Sequence, residues 1–205
     1  AILFSLIGGV LFLPMATYEF PGFPTYDKGI AISLSLIIGL FSVGLNQQKT
    51  HNLTVLDFFI LFWCIISPIV TSLFNNLGMY NGLAGVFDRI LHYGIIYWVG
   101  RNYFNNSHSL RMIINGIIIG GLIYIPLAIF ELRMSPQLSN IVYGFFSHSF
   151  LQHMRYGGYR PIVFMQHALM LSLWMANCTI VTFWICRLER SSYIMGIRLL
   201  YLFFM

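Results

Sequence analysis

The sequence predicts an all-α fold, a polytopic bundle of transmembrane helices. Three observations lead there. Of the 205 residues, 58% are hydrophobic and 8% charged. A soluble domain carries roughly 25% charged residues, so this chain has too few to cover a surface facing water. Its mean hydropathy is +0.78. The apolar residues also gather into runs near the ~20 residues that a membrane-crossing helix needs. Short polar turns rich in Asn, Gly and Pro separate those runs.

Taken in order, the expected spans cover residues 2-15, 29-45, 54-73, 83-103, 112-130, 162-185 and 194-205, within a single domain over 1-205. The first span opens without the basic stretch of a signal peptide. It reads as the tail of a helix, and the last run reads as a helix cut short, so the chain is expected to be a fragment. The loop A-T-Y-E-F-P-G-F-P-T-Y-D-K after the first span holds prolines and the aromatics typical of membrane interfaces. Asp57 sits at the entrance of the third span, and Pro68 is expected to kink it. The fifth span holds Gly116, Gly120 and Gly121, whose G-x-x-x-G spacing predicts close packing against another helix.

The net charge is +5, but lysines and arginines are scattered singly. That pattern argues against nucleic acid and for anchoring beside lipid headgroups. Lys49, Arg101, Arg111, Arg187 and Arg190 all fall in loops on one side of the bundle. The positive-inside rule makes that side cytoplasmic and turns the long 132–161 connection outward. Arg133, Arg155 and Arg160 in that connection run against the rule, as though kept for another task. Cys64, Cys178 and Cys186 lack metal or redox spacing and read as buried small apolar residues.

Residues 131–171 hold the densest polar chemistry in the chain. From Leu138 to Met154 the apolar residues recur at helical spacing, with His148, Gln152 and Arg155 on the opposite face. This predicts an amphipathic helix lying in the outer interface. R-Y-G-G-Y-R-P follows. Gly157-Gly158 permits a sharp turn, and Pro161 suits the first position of a helix, which would put Arg160 at the N-cap of the sixth span. There the guanidinium and the free N–H groups could converge on a phosphate or pyrophosphate, with Arg155 as a second contact. Gln166 and His167 are expected two turns into that helix. Tyr143, Tyr156 and Tyr159 are candidates for stacking on sugars. His148 and His153 are five apart, which does not suit two ligands on one helix face, so no metal or cofactor is expected. In the fourth span Asp88 and His92 share a face at i, i+4, and Arg89 points elsewhere. An ionisable residue inside a span is a functional candidate, and Glu131 and Arg133 are candidate partners for these charges.

The stretch R-P-I-V-F-M-Q-H-A-L-M-L, opening a span after a long outward connection, resembles the arginine-led motif of the O-antigen ligase and O-antigen polymerase superfamily. Arg160, Phe164, Gln166 and His167 match it in order; its Pro-Asn pair is absent. L-P-M-A-T-Y-E-F-P-G-F-P-T-Y-D, Y-W-V-G-R-N-Y-F and F-E-L-R-M-S-P-Q-L are also similar to members from polysaccharide-export loci. The resemblance implies metal-independent glycosyl transfer from an undecaprenyl-diphosphate-linked glycan to a glycan or lipid acceptor. The site would lie at the outer face of the bacterial inner membrane. Arginines would hold the pyrophosphate, drawn here from Arg160, Arg155 and Arg89, with His148, Gln152, Gln166 and His167 beside them. The family's general-base histidine lies in an outward loop beyond Met205, so these residues alone are expected to be inactive. A transporter or flippase of an anionic lipid-linked sugar is the competing expectation, with the same arginines as transit ligands.

Overall fold

The computed structural model describes residues 2–20, 25–43, 54–145, 154–155, 157–188, 193–194 and 197–198. The chain divides into two compact units, residues 1–10 with 16–110, and residues 11–15 with 111–205. Three helices, Val55–Phe74, Ser107–Met134 and Ala168–Leu188, are long and apolar enough to cross a membrane. The chain is a mostly helical membrane protein.

The first unit starts with a π-helical turn, Phe4–Gly8, which runs on into α1 (Gly9–Phe12). Tyr18 and Tyr26 then exchange a pair of backbone hydrogen bonds, both 2.8 Å, which brings the chain back to the start of α2 (Lys28–Val43). Next come α3 (Val55–Phe74), α4 (Met79–Arg89), a π-helical turn at Ile90–Gly94, and α5 (Ile95–Tyr103). Arg89, Ile90, Gly94 and Ile95 all keep right-handed helical dihedrals, so α4, the π turn and α5 form one continuous rod.

Pro68 stays inside α3. The facing helix makes room for it: a Cβ on Gly85 would meet the Pro68 ring at 2.9 Å, and one on Gly82 would meet the Ile69 backbone at 3.3 Å. Two glycines one turn apart let α4 press close to α3 where the proline has cost α3 a backbone bond. The loop between them uses positive φ at Asn76 and Gly78, and the Ser72 hydroxyl donates to the Gly78 carbonyl at 2.7 Å. On the other face Ile32, Leu36 and Leu40 bury against Val99. Their spacing of four is the apolar stripe of α2.

The fourth span was expected over 83-103. The rod begins at Met79, however, so Asp88, Arg89 and His92 fall at its middle. Asn75–Gly78 is short and Met79–Gly82 contributes a full helical turn that its Tyr, Asn and Gly content concealed.

In the second unit α6 (Ser107–Met134) and α8 (Ala168–Leu188) are the long elements. Gly120 and Gly121 are buried on α6. A Cβ on Gly121 would meet the Cys178 sulfur at 2.8 Å, so the two helices approach closely at this point. The contact falls on Gly121, next to the Gly116-x-x-x-Gly120 pair that the spacing singled out. Ile118 is buried alongside, with Val181 and Ile185 packed on it.

Three expectations fail here. Among the described residues the expected amphipathic helix is α7 (Leu138–Tyr143), ended by Gly144 in the left-handed region at φ 64°; residues 146–153 of that expectation lie outside the described residues. Met154–Arg155 (β1) is extended and pairs antiparallel with Gly158–Tyr159 (β2), around Gly157 at φ 75°. The Gly-Gly turn is therefore real, but it closes a hairpin rather than leading out of a helix. The sixth span starts at Ala168, not at 162. The last span, 194-205, is not helical where it is described: Tyr193–Ile194 (β3) pairs antiparallel with Ile197–Arg198 (β4).

Candidate functional site

The C-terminal end of α6 in the second unit is organised by Glu131, in the last turn of the helix. Its side chain is fully buried. Oε1 accepts the N–H of Leu138 at 3.1 Å, and Oε2 accepts those of Ile162 and Val163, both at 2.7 Å. One carboxylate thus fixes the start of α7 and the segment that leads into α8. That segment is irregular: the Ile162 carbonyl accepts the Met165 N–H at 2.9 Å, and Val163 has φ 56°. A β-branched residue rarely adopts this conformation, which costs of order 1–3 kcal/mol. The two short bonds to Glu131 offset that cost, and Ile162, Val163, Phe164 and Met165 all bury their side chains. Around them Phe12 packs on Tyr124 and Phe164, and the Tyr143 ring meets Phe164 edge-on at 5.3 Å. The Tyr124 and Tyr143 hydroxyls donate to the carbonyls of Leu11 and Phe12.

This geometry corrects the expected anion clamp. Pro161 opens no helix, and the N–H groups that were to meet a phosphate at residues 162 and 163 already meet Glu131. Arg160 stands just before them, partly buried, at the edge of an open groove of about 390 Å³. Ala128 of α6 and Ala168, Leu171 and Met175 of α8 line the groove. The two alanines leave the space, and the rest of the wall is apolar apart from Ser172, whose hydroxyl is turned back to the Leu169 carbonyl at 2.8 Å. Among the described residues the Arg160 guanidinium has no ion-pair partner.

Gln166 and His167 do not lie inside the helix. They are exposed and precede it, and the His167 carbonyl accepts the N–H groups of Met170 and Leu171 at 3.0 and 3.3 Å to start α8. His148 and Gln152 lie outside the described residues, as do Tyr156 and the side chain of Arg155, whose backbone forms part of β1. Tyr143 is committed to the packing just described, whereas Tyr159 lies 36% exposed on the hairpin.

Arg89 belongs to the first unit. Its guanidinium carbon lies 4.7 Å from the ring centre of Trp63 and 6.0 Å from that of Tyr93. Stacking of this kind satisfies an arginine in an apolar setting. One turn on, His92 Nδ1 lies 3.2 Å from Asp88 Oδ1, the pair that the i, i+4 spacing predicts. Its other nitrogen meets Asp27, a partner 65 positions away that sequence spacing could not supply. Neither Glu131 nor Arg133 serves these charges among the described contacts. In the first turn of α3, buried Asp57 accepts the Thr54 N–H in a capping box, takes the Tyr97 hydroxyl at 2.6 Å and pairs with Arg101.

The sequence reading offered Glu131 as a partner for the charges of the fourth span and missed that it serves backbone groups. The signal was present: one acid at the end of a long apolar run needs a partner. Its three partners lie 7, 31 and 32 positions on, and all are backbone groups. Searches against protein-family models, curated proteins and solved structures find no match for the chain.

Proposed function

We propose that the chain binds the anionic headgroup of an undecaprenyl-diphosphate-linked glycan at Arg160, and that the whole protein transfers that glycan as a polysaccharide ligase or polymerase. The observation that carries this reading is the groove. Apolar walls from α6 and α8 suit the first isoprene units of a lipid, and the guanidinium stands at one edge. Its volume falls within the ~300–1,000 Å³ usual for ligand sites. A planar guanidinium can bind two phosphate oxygens at once, which an ammonium cannot. In glycosyl transfer the leaving pyrophosphate gains negative charge, so a fixed cation there favours the transition state as well as binding. The charge asymmetry of the loops supports a site at the outer face of a bacterial inner membrane.

A transporter of the same lipid-linked anion is the second reading, and one observation favours it. Asp27, Asp88 and His92 meet halfway along the α4–α5 rod, where ionisable side chains mark ion and proton paths in transport proteins.

The test is complementation with the full-length protein. Arg160→Ala and Arg160→Lys should both stop polysaccharide assembly in cells while expression holds. Assembly at the wild-type level in Arg160→Ala would reduce the residue to an interfacial anchor. Assembly lost with lipid-linked precursor left on the inner leaflet would favour the transporter.

A further inference from the structure

We propose that the Asp27–His92 pair is a proton-binding site that latches the start of α2 to the π-helical turn of the α4–α5 rod. This does not depend on the reading of Arg160.

The argument is a count of donors and acceptors. His92 Nδ1 lies 2.9 Å from the Asp88 backbone carbonyl, which can only accept, so Nδ1 carries a hydrogen. Asp88 Oδ1 on the same side is a second acceptor. Nε2 lies 2.9 and 3.0 Å from the two oxygens of Asp27. A neutral ring with its hydrogen on Nδ1 would present a lone pair there, facing a carboxylate. The contact closes only if one more proton lies between Asp27 and His92, and it belongs on Nε2, because an imidazole is more basic than a carboxylate. The structure leaves the ring little room to escape this choice. A Cβ on Gly29 would lie 2.3 Å from His92 Cδ2 and 2.6 Å from Nε2, so the α2 backbone presses on the imidazole. Asp27 is fixed as well, because its Oδ1 accepts the Ile30 N–H at 3.0 Å and caps α2. One turn along, Ser33 donates to the Leu91 carbonyl and completes the junction. The ring sits in a π turn, a distortion that recurs at functional sites.

The charged and titratable groups around the pair are few. Lys28 follows Asp27 on α2; its ammonium nitrogen is buried and has no hydrogen-bond partner among the described residues. Arg89, on α4, is stacked on Trp63 and Tyr93. From α3 comes Cys64, whose thiol approaches the Arg89 carbonyl at 3.9 Å. Tyr93, next in the turn, has its ring 6.2 Å from that of His92. When the extra proton leaves, two acceptors face each other at hydrogen-bond distance and the junction loosens. α2 is then free to shift against the rod, so the state of the first unit follows the proton.

The experiment uses the chain in nanodiscs with 15N-labelled histidine. At pH 7.5 one of the six histidines should show hydrogens on both ring nitrogens. Asp27→Asn should abolish that signal, because the Asn amide can donate to a neutral Nε2 and needs no shared proton. The Tm of the wild type should fall by about 3 °C or more between pH 7 and 9.5, while that of Asp27→Asn stays flat. If Asp27→Asn does not fold, the wild-type spectrum decides alone. No doubly protonated imidazole at pH 7.5, or a Tm profile for Asp27→Asn that tracks the wild type, would overturn the proposal.

Discussion

Glu131→Ala is expected to leave little folded protein. The substitution strands three backbone N–H groups, at Leu138, Ile162 and Val163, two of which lie in a fully buried segment. Each buried donor left without an acceptor costs about 1–3 kcal/mol. Val163 would also keep its strained φ with nothing to hold it. The sum is on the order of 5 kcal/mol, comparable to the whole stability of many domains. Glu131→Gln should be milder, because one amide oxygen can still accept while the NH₂ group opposes a donor. Size-exclusion yield in detergent and protease sensitivity between residues 160 and 167 provide the measurement. A wild-type yield for Glu131→Ala, with no new cleavage in that segment, would show that α6 and α8 position it without the carboxylate.

Arg101→Ala should be nearly as damaging in the first unit. Asp57 is 3% exposed, and Arg101 is its charge partner. Removing the arginine leaves a buried carboxylate whose donors among the described residues are Thr54 and the Tyr97 hydroxyl. Breaking a buried pair from one side costs roughly 3–5 kcal/mol. The double change Arg101→Ala with Asp57→Asn should recover part of that loss, since no charge then remains to be satisfied. Thermal unfolding of the four proteins of this cycle checks it. Equal losses in the single and double variants would mean that Arg101 acts through packing alone.

The residues that were legible in the sequence act locally. The apolar runs at 54-73 and 112-130 became α3 and α6, because a long uncharged run can satisfy its own backbone only as a helix. The Asp88–His92 pair follows from helical spacing. What failed depended on partners far along the chain. Ile162–Met165 is apolar and follows a proline, which locally looks like the opening of a helix. Its backbone is instead held by a carboxylate from α6, and the helix waits until Ala168. Gly144 cut short a pattern of apolar residues whose period alone would have continued. The N–H groups expected to work with Arg160 serve Glu131, so the proposed site reduces to Arg160 at the edge of an apolar groove.

That groove is tested most directly by binding. Undecaprenyl diphosphate can be titrated into the chain in nanodiscs, with uncharged undecaprenol as the control. Losing charge-assisted hydrogen bonds from Arg160 removes roughly 1.5–3 kcal/mol. Arg160→Ala should therefore bind the diphosphate about tenfold or more weakly, with Arg160→Lys close behind it and undecaprenol unaffected. Diphosphate affinity equal to wild type in Arg160→Ala would contradict the assignment of the headgroup to Arg160.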